Sequence, residues 1–161
     1  MANNSDTIIA KVPAITVVFW IIKILATTLG ETGGDTLSMT YDLGYLVSSA
    51  IFLVPLILLV ALQIAARKFH PFLYWAAIIA STTAGTTCAD FATRSLGIGY
   101  AGGSLLLFAL VILSLATWRM ATGSIAVEKV ATPKSEVFYW VTITFSQTLG
   151  TALGDWLADT G

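Results

Sequence analysis

One pattern of spaced residues occurs three times along this chain and constrains its fold more than any other feature. A Trp preceded by another aromatic residue is followed by Thr eight positions later, Gly ten positions later and Asp fifteen positions later. The tryptophans are 55 and 65 positions apart (75 − 20 and 140 − 75). Agreement at four spaced positions in three copies indicates one structural unit repeated in tandem. The copies consist of Trp20, Thr28, Gly30 and Asp35; Trp75, Thr83, Gly85 and Asp90; and Trp140, Thr148, Gly150 and Asp155.

The composition places these repeats in a membrane. Hydrophobic residues make up 57% of the 161 residues and charged residues only 11%, whereas about a quarter of the residues in a soluble domain are charged. A transmembrane helix needs about 20 apolar residues. The sequence therefore predicts an all-α, polytopic membrane protein with about five transmembrane helices. The predicted spans are Pro13–Leu29, Leu43–Ala66, Phe72–Phe91, Ala101–Trp118 and Val137–Leu157.

These spans form a single predicted membrane domain over residues 1–161, built from tandem parallel two-helix repeats. In each repeat an outward helix carries the Trp-to-Asp pattern, a short turn follows, and a second helix returns. Such repeats are related by an axis along the membrane normal. Repeat 1 covers about 11–69, repeat 2 about 70–133, and half of repeat 3 about 134–161.

The basic residues predict the orientation. Of the basic residues in the connections between helices, six lie on one side of the membrane and only Arg94 lies on the other. This distribution is a positive-inside bias. The N-terminus is therefore predicted to be cytoplasmic. Met1–Ala10 contains no basic residue, so we expect no signal peptide. The six are Lys11, Arg67, Lys68, Arg119, Lys129 and Lys134.

Polar residues at equal offsets on parallel helices predict one functional level. The fifteen positions from Trp to Asp span about 22 Å of helix, so the three aspartates should lie at the same depth. Oxygen ligands favour hard cations or protons, and the sequence does not identify a metal. The predicted cation-binding or pathway residues are Glu31, Asp35, Asp90, Asp155, Thr28, Thr83 and Thr148, with Lys23 as counter-charge and Trp20, Trp75 and Trp140 as repeat aromatics.

Two features of the first span sharpen this prediction. An ionisable residue at bilayer depth costs about 2.5 to 3.5 kcal/mol, so Lys23 should face the bundle interior and pair with a carboxylate. Glu31 is the nearest by helical spacing, and Asp90 or Asp155 would also serve. The stretch Gly30–Thr36 contains three glycines, which predicts a break in the helix beside two carboxylates.

Each element also has a structural interpretation. The tryptophans are typical of an aromatic belt at the membrane interface. The glycines suit close packing of helices, and the threonines can bond back to their own helix. The aspartates could be solvated helix ends, and Lys23 with Glu31 could be a buried structural ion pair. The single Cys88 lies inside a predicted span and is expected to be a packing residue.

The residues of Lys11–Asp35, Tyr74–Asp90 and Glu136–Asp155 resemble a family of bacterial membrane proteins built from tandem repeats of unknown function, each with two transmembrane helices and a characteristic Trp. The resemblance implies an inner-membrane location but no activity. Members of that family usually have four repeats, so the chain is expected to be truncated within the third. Glu31-Thr-Gly-Gly-Asp35-Thr36 is also similar to the Glu-x-Gly-Asp-Lys/Arg-Thr/Ser signature of a cation-exchanger family that handles Ca²⁺ and Mn²⁺, although one spacing differs and the basic residue is missing.

The leading functional prediction is a transporter or channel-like protein for a small cation, either a metal ion or coupled to protons. The alternative is a non-transporting membrane scaffold or accessory subunit whose polar residues hold helices together. No nucleophile and base arrangement accompanies the lone His70, so we predict no enzyme and no cofactor. The expected partners are the lipid bilayer, a hard cation or proton and a homo-oligomeric copy, and no basic tract indicates nucleic acid.

Overall fold

The structure, a computed structural model, describes residues 11–160 and is all-helical over that range. Met1–Ala10, on which the signal-peptide prediction depends, lies outside the described residues. The five predicted helices are confirmed, each extending beyond or shifting slightly from its predicted apolar run. They are α1 (Val17–Asp35), α2 (Tyr45–Ala65), α3 (Pro71–Asp90), α4 (Gly99–Thr122) and α5 (Pro133–Thr160).

Local sequence signals set where the helices begin and end. The Thr16 side chain accepts a hydrogen bond from the Phe19 N–H at 3.2 Å and caps α1. Pro71 occupies the first turn of α3, where its missing N–H costs nothing. Helix α4 ends at Gly123, whose φ of +76° is a left-handed conformation that favours glycine.

Both complete repeats end their outward helix in the same unusual way. Helix α1 ends at Asp35 and is followed by a π-helical turn, Thr36–Thr40. Helix α3 ends at Asp90 and is followed by a second π-helical turn, Phe91–Ser95. Such wide turns are rare and occur frequently at functional sites. The aspartate of the repeat therefore marks the change from one helical geometry to the other.

The predicted break at Gly30–Thr36 is wrong, because α1 is regular through Asp35. The glycines serve packing instead. A Cβ added to Gly30 would lie 2.8 Å from Cβ of Thr82, and one added to Gly34 would lie 3.2 Å from Cβ of Thr86. Contact with α3 thus offsets the poor intrinsic helix propensity of the glycines.

Helix α3 lies at the centre of the bundle, with twelve of its twenty residues buried. Helices α1 and α5 pack on two of its sides. The return helices α2 and α4 pack mainly on the outward helix of the following repeat, α3 and α5 respectively, and barely touch the helix that precedes them. The two helices of a repeat are thus consecutive in sequence but hardly contact each other. The return helix packs instead on the outward helix of the next repeat.

Three of the described helical segments are long and apolar enough to cross a membrane: Val17–Thr40, Tyr45–Ala65 and Gly99–Thr122. Helices α3 and α5 have comparable length but carry more polar residues. Their polar side chains lie largely on the faces that contact other helices, where hydrogen-bonding partners replace water. The molecule is thus an all-α membrane protein with its more polar helices inside.

Candidate functional site: a polar axis between three helices

One stripe of side chains from each outward helix converges where α1, α3 and α5 meet. The stripe uses the positions 7, 11 and 15 residues after each repeat Trp, which are spaced i, i+4 and i+8 and so share one face of a helix. We call the nine residues at these positions the polar axis, and we name its three levels inner, middle and outer in order of their distance from the repeat Trp. They are Thr27, Glu31 and Asp35 in α1; Thr82, Thr86 and Asp90 in α3; and Gln147, Thr151 and Asp155 in α5.

The inner level of the axis is organised by Gln147. Its Oε1 accepts a hydrogen bond from Nζ of Lys23 at 2.6 Å and a second one from the Thr82 hydroxyl. Its amide Nε2 donates to the Ser81 hydroxyl. One amide therefore connects all three helices. Lys23 forms no ion pair within residues 11–160, so the predicted pairing with Glu31 is not observed.

The middle level connects hydroxyl groups to a carboxylate. The Thr86 and Thr151 hydroxyl oxygens are 3.5 Å apart. The Thr151 hydroxyl donates to Oε1 of Glu31 at 3.4 Å. Both are long hydrogen bonds by the usual criteria, and they run across the axis from α3 through α5 to α1. This level lies four residues, about 6 Å along a helix, from the Gln147 level.

The outer level gathers carboxyl groups around Arg94. Asp90 is 1% exposed, and its Oδ1 lies 3.0 Å from Nε of Arg94. A guanidinium NH2 of Arg94 also lies 3.2 Å from Oδ2 of Asp155. Asp90 and Asp155 thus share Arg94 as their guanidinium neighbour in the described part of the chain. Asp35 occupies the equivalent position of α1.

The opposite end of the axis is closed by aromatic side chains. The Tyr74 and Tyr139 hydroxyl groups are 2.7 Å apart and buried. The aromatic residue before each Trp packs on the Trp of the following repeat, because the Phe19–Trp75 and Tyr74–Trp140 ring centroids are each 5.5 Å apart. These aromatic contacts join consecutive repeats and separate the polar axis from the other end of the bundle.

A second buried polar cluster lies beyond these aromatics. Nζ of Lys11 is 2.7 Å from Oε1 of Glu136 and 2.7 Å from the carbonyl oxygen of Ala66. It also donates to the carbonyl oxygens of Gln63 and Ile64 at 3.3 and 3.0 Å. Lys11 therefore caps the end of α2 and ties it to the start of α5. The sequence suggested only a charge in a connection, whereas the residue is buried.

The predicted threonines do not face the axis. Thr28 is exposed, Thr83 donates to the Ile79 carbonyl at 2.9 Å, and Thr148 donates to the Thr144 carbonyl at 2.8 Å. The buried pair therefore bond back to their own helices. Of the predicted site residues, the structure brings Asp90 and Asp155 together around Arg94 at the outer level, where Asp35 holds the equivalent position of α1. Glu31 lies at the middle level and Lys23 at the inner level.

The predicted aromatics differ in exposure from repeat to repeat. Trp20 is 56% exposed, Trp75 is half-buried and Trp140 is 3% exposed. Two of the three are thus contacts between repeats. Among residues 11–160, no group of three or more His, Cys, Asp or Glu side chains is placed to hold one metal ion. The outer level is consequently an acidic cluster rather than a preformed metal cage.

The sequence interpretation missed Thr82, Thr86, Gln147 and Thr151. A usable signal was present, because positions 7 and 11 after the Trp are polar in all three copies although the residue types differ. Selecting positions with identical residues picked out Thr at position 8 and Gly at position 10, which pack between helices. Chemical character at a fixed helical spacing was the better indicator of the buried axis.

The comparisons with known proteins agree with the repeat architecture. The family model described as Repeat of Unknown Function (DUF347) matches residues 18–69 and again residues 73–124. Each match covers one outward helix with its return helix. No curated protein and no solved structure matches the chain. Because two tandem copies of the family model cover more than half of the sequence, the chain belongs to the DUF347 repeat family.

Proposed function

We propose that this protein moves a small cation across the membrane along the polar axis, and that the proton is the ion it handles. The observation that supports this is the succession of polar levels between α1, α3 and α5, from Lys23 and Gln147 to the Arg94 carboxylate cluster. We place the protein in the bacterial inner membrane with a cytoplasmic N-terminus, which makes the carboxylate level the outer one.

The chemistry of the axis supports proton handling. Hydroxyl, amide and carboxyl groups follow one another at intervals of four residues, about 6 Å along a helix. The cross-helix bonds from Lys23 to Gln147 and from Thr151 to Glu31 run between these helices. Ionisable residues are costly to insert into a membrane and are therefore rare there. Where they occur inside transmembrane bundles, they often form proton relays. No chemical reaction is required, so the proposal assigns the protein no enzymatic role.

A directly ligated divalent metal fits less well. Mg²⁺ and Ca²⁺ need six or more oxygen ligands, and the described residues bring no three metal-ligating side chains together. Arg94 is already bonded to two of the carboxyl groups. A proton needs only one carboxyl oxygen at a time and can pass through the hydrogen bonds within a level. Because the levels are about 6 Å apart, the proposal requires water to carry the proton from one level to the next.

A structural role is the competing proposal, and one observation favours it. Lys23 places a cationic group on the axis and is bonded directly to Gln147, as expected of a polar contact that holds helices together. In this scaffold interpretation the axis would set the arrangement of α1, α3 and α5 without carrying an ion.

The experiment is proton flux into liposomes that contain the purified protein and a pH-sensitive dye, driven by a potassium diffusion potential. We expect flux above that of empty liposomes. Glu31→Gln and Asp90→Asn should each lower it by at least about tenfold, since each removes a group that exchanges protons. Asp42→Asn is the matched control because Asp42 lies in the exposed turn before α2, and its flux should equal that of the wild type.

Two outcomes would contradict the proposal. Folded, reconstituted protein without proton flux would leave the scaffold interpretation ahead. Flux that persists in both Glu31→Gln and Asp90→Asn would place the pathway elsewhere. Parallel measurements with Mn²⁺- and Mg²⁺-sensitive dyes would show metal transport, if present, as a signal that replaces the proton signal.

A further inference from the structure

The outward helices pack on one another through a contact that is repeated inside the chain. The glycine face of α1 packs on the threonine face of α3, where a Cβ on Gly30 would lie 2.8 Å from Thr82. The glycine face of α3 packs on α5, where a Cβ on Gly85 would lie 3.0 Å from Oγ1 of Thr148, one repeat position further along than Thr82. In both contacts the glycines lie on the earlier outward helix and pack on the next outward helix.

The third glycine face has no neighbour among residues 11–160. A Cβ added to Gly150 or Gly154 of α5 would meet no atom of these residues within 4 Å, apart from its own helix. These two residues are the counterparts of Gly30 and Gly34 in α1. Helix α5 therefore presents an open glycine face that matches the faces used for packing by α1 and α3.

The first threonine face is open as well. In α3 the glycines of α1 meet Ile79, Thr82 and Thr83. The counterparts in α1 are Ile24, which is 61% exposed, Thr27, which is half-buried, and Thr28, which is exposed. Trp20 is 56% exposed, whereas its counterparts Trp75 and Trp140 each pack on an aromatic residue of the preceding repeat. Among the described residues, no outward helix packs on this face of α1, whereas α3 and α5 each have such a neighbour.

We propose that a second copy of this chain occupies both faces. The glycine face of α5 in each copy packs on Ile24 and Thr28 of α1 in the other copy. One two-fold axis along the membrane normal generates both contacts, since α1 and α5 run in the same direction. The six outward helices then form a closed ring, and the polar axes of the two copies face one another inside it.

The charged groups beside the open faces support a covering partner. Lys23, Glu31 and Asp155 are partly exposed, whereas their counterparts in α3, including Asp90, are buried. Charged groups facing lipid at membrane depth are costly. A second copy would enclose these groups with the same helix faces that enclose α3. This inference depends on the packing of the repeats and not on the proposed proton movement.

The first test is disulfide formation across the proposed contact. In a Cys88→Ser background, Thr28→Cys combined with Gly150→Cys should give a covalent dimer on oxidation, because glycine contacts bring helices close enough for a disulfide. The matched control is Leu58→Cys combined with Leu105→Cys, two exposed apolar positions on the return helices, which should remain monomeric. Equal crosslinking in both variants, or none in the first, would overturn the proposal.

The second test measures association without crosslinks. The dimer should be seen by subunit counting in lipid bilayers at increasing protein-to-lipid ratio. Gly150→Leu should weaken it by at least about tenfold, since the added side chain separates the helices. Ala109→Leu, on an exposed face of α4, adds comparable bulk and should leave association unchanged. Wild-type protein that stays monomeric at all ratios, or a Gly150→Leu variant that dimerises normally, would contradict the proposal.

Discussion

Lys23 on α1 donates a hydrogen bond from Nζ to Oε1 of Gln147 on α5, at 2.6 Å and across 124 positions of sequence. The two helices make little backbone contact, because α3 lies between them. Gln147 also bonds to Ser81 and Thr82 of α3. This one amide is therefore the point at which the outward helices of all three repeats are joined.

Replacing Gln147 by Leu should remove these bonds and leave the Lys23 ammonium without its acceptor. We expect Gln147→Leu to lower the free energy of unfolding by about 1 to 2 kcal/mol, the range for polar contacts between membrane helices. Chemical unfolding in detergent micelles would measure the loss. The double variant Lys23→Met with Gln147→Leu should recover part of it, since no charge is left unpaired. Strictly additive losses would show that the two residues do not interact.

Substitutions in the Lys11 cluster should lower the stability of the protein more than substitutions of exposed charged residues. Lys11→Met removes the partner of Glu136, which is 1% exposed, and should cost about 3 to 5 kcal/mol of stability because a buried carboxylate is left alone. Glu136→Gln in the same chain should restore a large part of that loss. Lys129→Met serves as the control, since Lys129 is exposed. Thermal unfolding of the wild type, Lys11→Met, Lys11→Met with Glu136→Gln, and Lys129→Met would measure these changes in stability. Equal losses of stability in Lys11→Met and Lys129→Met would refute the prediction.

The positions of the helices can be predicted from the sequence because they depend on local residues and on strongly apolar segments. Segment length, hydropathy and the threefold pattern together predicted five helices in tandem repeats, and the structure confirms them. The regularity of α1 through Gly30 and Gly34 was missed. Helix propensity alone favours a break there, whereas the close approach of α3 decides the outcome.

Partners of polar residues were less predictable, because they depend on how the helices are arranged. Spacing placed Glu31 near Lys23 on the same helix, yet the acceptor is Gln147 from another repeat. Lys11 likewise appears as a flanking charge in the sequence and is buried only because α2 and α5 end beside it. That the three aspartates share one level stays a prediction from equal offsets on parallel helices, and the structure shows that Asp90 and Asp155 both contact Arg94.

Arg94 should hold the outer carboxyl groups together. Arg94→Gln removes its contacts with Asp90 and Asp155 and leaves several like charges near each other, which repel. We expect a lower melting temperature for this variant. Arg94→Lys should be intermediate, because Lys keeps the charge but lacks the planar group that contacts both carboxylates. Adding Asp155→Asn to Arg94→Gln should raise the melting temperature again, and a further decrease instead would argue against repulsion.

The orientation can be tested at the two ends of the bundle. In a Cys88→Ser background, a membrane-impermeant thiol reagent applied to intact cells should label Thr40→Cys, which follows α1, on the outside. It should label Lys129→Cys, in the connection before α5, only after lysis. The expectation follows from the excess of basic residues on the Lys129 side. Labelling in the opposite order would reverse the orientation and place the carboxylate cluster on the cytoplasmic side.

The three repeat glycines offer a matched series in one chain. Gly30→Ala would force a Cβ to 2.8 Å from Thr82, and Gly85→Ala to 3.0 Å from Thr148. Each should therefore lower the free energy of unfolding by about 1 to 3 kcal/mol, as overpacking does. Gly150→Ala meets no atom within 4 Å and should raise the stability of the dilute, monomeric protein by up to about 1 kcal/mol, because Ala favours the helix. Unfolding at low protein concentration in detergent would compare the three. Equal losses at all three glycines would show that the repeats share one environment, contrary to the open face on α5.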